Sequence, residues 1–457
     1  MMSAHQGVRV AAPASKSLSH RALIAAALAF GTSRITNVLE SDDLHRTADV
    51  LAVCGVHIDR EAAGVFAVTG CNGTPRGAKT GEKPFSCFMG ESGTSCRLLT
   101  AVLAAGEGAF HIHGCGRLHD RPMRPLVDAL ASLGVSIAFD GNSGFLPFVL
   151  HARGLLGHGS SSCIPVESGT SSQFLSGLLL AAPLASGGLT LAPEGDRAVS
   201  WPYVGLTLQI MEDFGCRFRV DTRGSREMAW KACDWRRVKQ AVPGQLRLCV
   251  EEGAYRSREY VVEGDYSGAS YLLAAGALGP RPVSVAGLRR ESLQGDAVIL
   301  NILENMGASV EWRGEEVVVS PSSLTGISLD MGACPDLVPT VAAVAAHASS
   351  PTVIHNIAHL KAKESDRIQA IAEEIGKTGA TVVALDAGLR IEPGARCGRE
   401  ALHFSAHRDH RIAMSLSLFE LGGARVSLDN TACVEKSFPE FWNVWRQICP
   451  ETRIHPR

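Results

Sequence analysis

Ala14-Ser15-Lys16-Ser17-Leu18-Ser19-His20-Arg21 runs directly into Ala22-Leu23-Ile24-Ala25-Ala26-Ala27-Leu28-Ala29, and Gly31 follows. Small hydroxyls and two cations precede a run of strong helix formers, and a glycine closes it. The pattern predicts a helix with serine caps at its start and a glycine stop. At such a start, free backbone N–H groups and the positive end of the helix dipole meet Lys16 and Arg21. That combination suits a phosphate or a carboxylate. One such start decides little, because most serine-capped helices only cap. Recurrence decides the fold.

The same order of elements returns five more times. After the first helix, residues 32–38 alternate as a strand, 43–53 form an amphipathic helix stopped at Gly55, and 56–58 open another strand. Ser92-Gly93-Thr94-Ser95-Cys96-Arg97 leads into an apolar helix over 98–105, a strand over 109–113, an amphipathic helix over 124–133 with Gly134, and a strand over 135–137. Ser168-Gly169-Thr170-Ser171 precedes a helix over 174–182, a strand over 189–191, and a helix over 202–214 with Gly215. Ser267-Gly268-Ala269-Ser270 precedes 271–278, 283–285 and 300–306 with Gly307. Asp336 opens a fifth copy (341–346, 352–354, then 366–375 and Gly376). Asp409-His410-Arg411 opens a sixth (412–421, Gly422, then 425–428).

The starts fall at residues 14, 92, 168, 267, 336 and 409, so they lie 69 to 78 residues apart except for one interval of 99. That interval holds residues 221–248, rich in Arg and Lys and poor in apolar pattern, which predicts an inserted surface excursion. Three units before it and three after predict two similar α/β domains with a short connection. A length of 457 residues also asks for more than one core.

With 46% hydrophobic residues and a net charge of −2, the composition is that of a soluble globular chain with no general pull toward nucleic acid or membrane. No apolar run reaches membrane-spanning length, and the first ten residues carry no targeting pattern. The 13 cysteines lack CxxC pairs and His/Cys clusters, so no metal site and no disulfide framework are expected. They read as thiols of a reducing cytoplasm.

The units differ in what their helix starts carry. The first brings Lys16, Ser17 and Arg21; the second Thr94 and Arg97; the third Ser171, Ser172 and Gln173. The fifth brings Asp336, and the sixth His407, Arg408, His410 and Arg411. Facing one cleft, these would bind small polyanions through helix starts and guanidinium groups. Arg121 sits in the loop 114–122. Lys363 and Arg367 lie four apart, as on one helix face, and Lys436 precedes the last helix.

The ordered segments SKSLSHRAL from Ser15, SGTSCRL from Ser92, DRP from Asp120, SSQFLSGLLLAAP from Ser171 and SWPY from Ser200 resemble the 5-enolpyruvylshikimate-3-phosphate (EPSP) synthase family. So do VEGDYSGASY from Val262, LQGD from Leu293, PD at Pro335, KESDR from Lys363, DHR from Asp409 and EKSFP from Glu435. The resemblance covers nearly the whole chain. It implies two domains of three βαβαββ repeats each, with helices packed inside. The domains would be residues 15–263, and 1–14 with 264–457, and the active site would lie in the cleft between them. The implied reaction moves the enolpyruvyl group of phosphoenolpyruvate to the 5-hydroxyl of shikimate 3-phosphate and releases phosphate. This is a step toward chorismate and the aromatic amino acids.

By motif, shikimate 3-phosphate would meet Lys16, Ser17, Arg21, Ser171, Ser172, Gln173, Ser200, Asp336, His359 and Lys363. Phosphoenolpyruvate would meet Lys16, Gly93, Arg121, Gln173, Arg367, Arg411 and Lys436. Asp336, Glu364 and Lys16 would carry the proton chemistry. No metal and no organic cofactor are implied, and a cytoplasmic monomer is expected. The family usually has Asn where Glu91 and His359 stand and Pro where Leu98 stands, and residues 221–248 look longer than usual. A sister enzyme that acts on UDP-N-acetylglucosamine shares the fold and often uses a loop cysteine, as at Cys115. The DHR, KESDR and SSQ segments favour the shikimate acceptor. A non-catalytic phosphometabolite-binding protein would not need Asp336, Glu364 and Lys436 together.

Overall fold

The structure, a computed structural model, describes residues 7–157, 163–394 and 401–454. Two compact units emerge: Lys16–Val262, and Met1–Ser15 with Glu263–Arg457. The N-terminal strand β1 (Val8–Ala11) belongs to the second of them.

In the Lys16–Val262 unit, α1 (Lys16–Leu28) leads to β2 (Thr32–Thr36), α2 (Asp42–Val53), β3 (His57–Ala62) and β4 (Val65–Thr69). Then come β5 (Phe85–Phe88), α3 (Gly93–Ala104), β6 (Glu107–His113), α4 (Arg124–Ser132), β7 (Ser136–Phe139) and β8 (Phe148–Arg153). The third set is β9 (Cys163–Glu167), α5 (Gln173–Ala181), β10 (Leu189–Glu194), α6 (Trp201–Asp213), β11 (Phe218–Thr222), β12 (Lys231–Cys233) and β13 (Leu246–Val250), before β14 (Glu259–Val261). Three sheets result, in the orders β14-β2-β4-β3, β5-β6-β8-β7 and β12-β11-β13-β10-β9. In each, one parallel pair (β14 with β2, β5 with β6, β9 with β10) continues into antiparallel pairs.

The other unit repeats the design. It runs through α7 (Tyr266–Leu278), β15 (Val283–Ala286), α8 (Ile299–Asn305), β16 (Ser309–Arg313), β17 (Glu316–Ser320) and β18 (Ser328–Asp330). It continues with α9 (Val338–Ala346), β19 (Thr352–His355), α10 (Arg367–Gly376), β20 (Thr381–Leu385), β21 (Gly388–Glu392) and β22 (Ala401–Phe404). It ends with α11 (His410–Leu416), β23 (Arg425–Leu428) and α12 (Phe441–Ile448). Its sheets are β1-β15-β17-β16, β18-β19-β21-β20 and the short pair β22-β23, whose parallel members are β1 with β15, β18 with β19 and β22 with β23. After β23 the amphipathic α12 buries Phe441, Trp442 and Trp445.

Why the helices lie inside follows from their composition. In α1, every residue from Leu18 to Leu28 is buried, and α3, α5, α7 and α9 are buried almost as fully. A helix apolar on all sides has no face to give to water. Gly177 on α5 lets α3 come close: a Cβ there would sit 2.7 Å from the Arg97 carbonyl oxygen and 3.2 Å from Ala101 Cβ. Adding that methyl would overpack the seam at a cost of about 1–3 kcal/mol.

Several local expectations change. Serine caps form at α3, where Ser92 Oγ accepts from Ser95 N at 3.1 Å, but not at α1, where the buried Ser15 hydroxyl makes no hydrogen bond. Ser267-Gly268 lies inside α7, because Asp265, a stronger acceptor, caps Gly268 N at 2.7 Å. The left-handed stops of the last two units are Gly379 (φ 93°) and Gly423 (φ 89°), not Gly376 and Gly422. Lys363 and Arg367 do not share a helix: Asp366 caps Gln369 N at 3.1 Å, so α10 begins only at Arg367. Residues 221–248 lie largely at the surface, as expected of an excursion, but are built into a sheet. They contribute part of β11, all of β12 and most of β13. Buried Asp221 pairs with Arg219 at 2.8 Å and Arg247 at 3.0 Å, and Trp235 is buried.

Candidate active site

The Lys16–Val262 unit gathers its functional side chains at the starts of α1, α3 and α5. Lys16 Nζ lies 3.0 Å from Asp43 Oδ2. Arg21, one turn further on, is 2% exposed and, among the described residues, donates only to neutral oxygens. These are Thr207 Oγ1 (2.8 Å), the Ser17 carbonyl (2.8 Å), the Tyr203 carbonyl (3.1 Å) and Ser176 Oγ (3.4 Å). Burial without a paired carboxylate pushes its guanidinium down to about 10. Such a cation is better off with an anion beside it.

Gln173, the first residue of α5, is clamped on both sides. Its Oε1 accepts from Arg97 Nη1 at 2.8 Å and its Nε2 donates to Thr94 Oγ1 at 2.9 Å. Arg97 also lies over the Phe174 ring, 4.9 Å from its centroid. Arg121 closes the short 3-10 helix Gly116–Asp120 and is buried against Gly93, where a Cβ would come within 2.6 Å of the guanidinium carbon. Ser171 is half-buried, and Ser172 is buried just ahead of α5. Ser200 holds a left-handed backbone (φ 55°) ahead of α6, with no side-chain cap bond. Six of the expected ligands, Lys16, Ser17, Arg21, Ser171, Ser172 and Gln173, therefore stand at the starts of two buried helices.

Behind them runs a buried polar chain. His20 Nδ1 meets Thr47 Oγ1 at 2.8 Å, Thr47 meets Ser95 Oγ at 2.9 Å, and Ser95 Oγ reaches Ser92 Oγ (2.7 Å) and the Asp43 carbonyl (3.1 Å). Burial pushes His20 down to about 3, so the ring is neutral.

The Glu263–Arg457 unit holds a lattice of full charges. Arg367, 1% exposed, donates to Asp409 (Nε to Oδ2, 2.8 Å), Asp336 (Nη1 to Oδ1, 3.0 Å) and Glu364 (Nη2 to Oε2, 3.0 Å). Arg411 Nη2 donates to Asp336 Oδ2 at 2.7 Å, Lys363 Nζ lies 3.8 Å from Asp336, and Lys436 Nζ lies 3.9 Å from Glu364. Burial works to raise the Asp336 carboxyl, but Arg411, Lys363 and Arg367 outweigh it and hold it well below the usual range. Asp409, fully buried, is held low in the same way by Arg367 and His410, and Arg367 is held firmly charged by its three carboxylates. Asp296 behaves oppositely: burial first, then the Asp336 charge, pushes it up to about 7.

Of the expected residues here, Asp336, Lys363, Glu364, Arg367, Arg411 and Lys436 come together. His359 is half-buried in the 3-10 helix Ala358–Ala362. His407 does not join the group. It turns to the buried Glu374 at 3.1 Å, which already accepts from Lys377 and the Ser405 N–H. Three carboxylates escaped sequence reasoning. Asp43 reads as an ordinary first-turn acid of α2, whereas Asp296 and Asp409 lie in the LQGD and DHR segments without a role assigned to them.

A family model for EPSP synthase (3-phosphoshikimate 1-carboxyvinyltransferase) matches residues 3–231 and 238–445. Its interruption falls inside residues 221–248. A 3-phosphoshikimate 1-carboxyvinyltransferase from Marinomonas sp. is 37% identical over 95% of both chains, and one from Syntrophobacter fumaroxidans is 38% identical over 96% of both. Among solved structures, EPSP synthase from Acinetobacter baumannii is 25% identical with a TM-score of 0.73, covering 97% of each chain. The enolpyruvyl transferase NikO from Streptomyces tendae, 18% identical with a TM-score of 0.72 over 98% of this chain and 96% of its own, is alike in fold. The chain belongs to the EPSP synthase family. No described helix is long and apolar enough to cross a membrane.

Proposed function

We propose that the chain transfers the enolpyruvyl group of phosphoenolpyruvate to the 5-hydroxyl of shikimate 3-phosphate. The family match along nearly the whole chain carries this reading. The two clusters serve one reaction. Lys16, Ser17, Arg21, Ser171, Ser172, Gln173 and Ser200, with His359 and Lys363, hold shikimate 3-phosphate. Gly93, Arg121, Arg367, Arg411 and Lys436, again with Lys16 and Gln173, hold phosphoenolpyruvate. Arginine forks and helix starts suit phosphate and carboxylate oxygens.

The reaction adds a proton to the methylene carbon of phosphoenolpyruvate while the acceptor oxygen bonds to the neighbouring carbon. The acceptor hydroxyl gives up its own proton as that bond forms, and loss of one proton from the new methyl group together with phosphate then restores the double bond. Glu364 and Lys16 exchange the carbon-bound proton. Asp336 faces the 5-hydroxyl. While three cations hold it ionised it is a weak base, so its first task is to orient that hydroxyl. Its basicity rises as Lys363 and Arg411 turn to substrate oxygens. Charge moving onto the leaving phosphate is met by the same cations. The protein acts as a cytoplasmic monomer on these two small molecules.

The test is phosphate release from phosphoenolpyruvate with each acceptor supplied separately. Release with shikimate 3-phosphate is expected. Release with UDP-N-acetylglucosamine alone would overturn the reading.

A further inference from the structure

Lys16 is asked to do two things, touching both substrates and passing a proton, and both require its ammonium to sit in one place. A lysine side chain has four rotatable bonds and loses roughly 2 kcal/mol of rotamer entropy when fixed. Something in the protein must hold it. The starts of α2 and α3 provide the means. Asp43, on the first turn of α2, is 5% exposed, and its carboxylate lies 3.0 Å from Lys16 Nζ. Its own backbone is pinned, since the Asp43 carbonyl accepts from Ser95 Oγ at 3.1 Å. Ser95 is fixed in turn by Ser92, the cap of α3, and by Thr47, which lies four residues after Asp43 on α2 and meets His20 on α1. Helices α1, α2 and α3 are thus tied together around Asp43, α3 through its backbone carbonyl and α1 through its carboxylate, and nothing in the enolpyruvyl transfer uses that carboxylate directly.

We propose that Asp43 is a positioning residue, which fixes the Lys16 ammonium through a direct ion pair and is itself fixed by the Ser92–Ser95–Thr47–His20 chain. This rests on the enolpyruvyl-transfer reading only for its effect on rate; the holding of Lys16 is a property of the free protein. A carboxylate at 3.0 Å does for lysine what packing does for a shorter side chain, and it compensates the ammonium charge. Shifting the ammonium by about 1 Å is enough to cost about a hundredfold in rate.

The test uses the full-length chain and two readouts. In protein labelled with 15N-lysine, the Lys16 ammonium should give an ordered, slowly exchanging NMR signal, assigned by its loss in Lys16→Met. Asp43→Asn should abolish that order and Asp43→Glu should keep it. If Asp43→Asn does not fold, Asp43→Ser carries the same expectation. An equally ordered signal without the carboxylate, or a parent signal as mobile as that of a surface lysine, overturns the proposal whether or not the chain turns over substrate. In the enzymatic assay, Asp43→Asn should lower kcat about a hundredfold, with KM for both substrates changed by less than about fivefold, and Asp43→Glu should recover most of it. A parent that transfers no enolpyruvyl group would refute the functional reading and leave the NMR result to decide the holding of Lys16. An active parent with an unimpaired Asp43→Asn would refute the positioning role alone.

Discussion

The two units solve the burial of arginine in opposite ways. In the Glu263–Arg457 unit, Arg367 faces Asp409, Asp336 and Glu364, so every charge in its neighbourhood has a counter-charge before any ligand arrives. In the Lys16–Val262 unit, Arg21 is just as buried but meets two hydroxyls and two carbonyls. The first arrangement is a poised lattice that can trade partners at little net cost. The second is an unbalanced cation that gains by binding an anion. One repeat design and one kind of helix start therefore give two electrostatic settings: a buried guanidinium among neutral oxygens in one unit, and charges paired with charges in the other.

The lattice should be the more fragile of the two. Asp336→Ala removes an acceptor of Arg411 and one of the acceptors of Arg367, and should reduce turnover by about a thousandfold or more, measured as phosphate release at saturating substrates. Arg367→Met leaves Asp409 buried opposite no guanidinium and should destabilise the protein by about 3–5 kcal/mol in urea unfolding. Arg21→Met strands only neutral oxygens and should cost about 1–3 kcal/mol, yet it should weaken binding of shikimate 3-phosphate more than tenfold by calorimetry. Equal destabilisation by the two arginine replacements would erase the contrast.

Acidity sharpens it further. Asp336 and Asp409 are held low in the folded state, so their stabilising contribution is present above the ordinary aspartate range and is lost as pH falls below it. Asp296 runs the other way. Raised to about 7, it binds its proton more tightly when folded. Its contribution is complete below the ordinary aspartate range and fades as pH rises through about 7. Asp296→Asn should therefore raise the melting temperature relative to the parent at about pH 8 and change it little at about pH 4. A pH-independent difference would mean that Asp296 is already ionised in the folded protein.

Much of this was readable in the chain, for identifiable reasons. Apolar runs such as Ala22–Leu28 are too uniform to lie on a surface, and the glycine stops mark their ends, so the sixfold order of helices and strands could be read directly. Helix starts showed which cations and hydroxyls would gather. Strand exchange could not be seen: β1 pairs with β15 and β14 with β2, and both pairings join segments more than 200 residues apart. Nor could the sixth sheet's having two strands, β22 and β23, among the described residues, since no local pattern announces it. In the site, cations were found because helix starts are recognisable. The carboxylates Asp43, Asp296 and Asp409 were overlooked because an acid at a helix start is usually a cap, and Asp409 does cap Arg411 N at 3.0 Å while also holding Arg367.

The smallest effect is expected at Cys115, and it bears on which acceptor the protein serves. Cys115 is exposed between Gly114 and Gly116, directly ahead of the 3-10 helix that ends at Asp120, just before Arg121. Its backbone holds the loop: its N–H donates to the Gly90 carbonyl at 2.9 Å and its carbonyl accepts from Leu118 N at 3.3 Å. Both bonds survive any side chain that tolerates the extended backbone there, with φ −144°. The proposed reaction gives the proton work to Glu364, Lys16 and Asp336 and asks none of the Cys115 thiol. Cys115→Ser preserves size and removes most of the acidity, so transfer to shikimate 3-phosphate should stay within about threefold of the parent. If the serine variant is inactive while UDP-N-acetylglucosamine proves to be the working acceptor, the Cys115 loop rather than Glu364 and Lys16 supplies the acid, and the proposed proton roles fail with it.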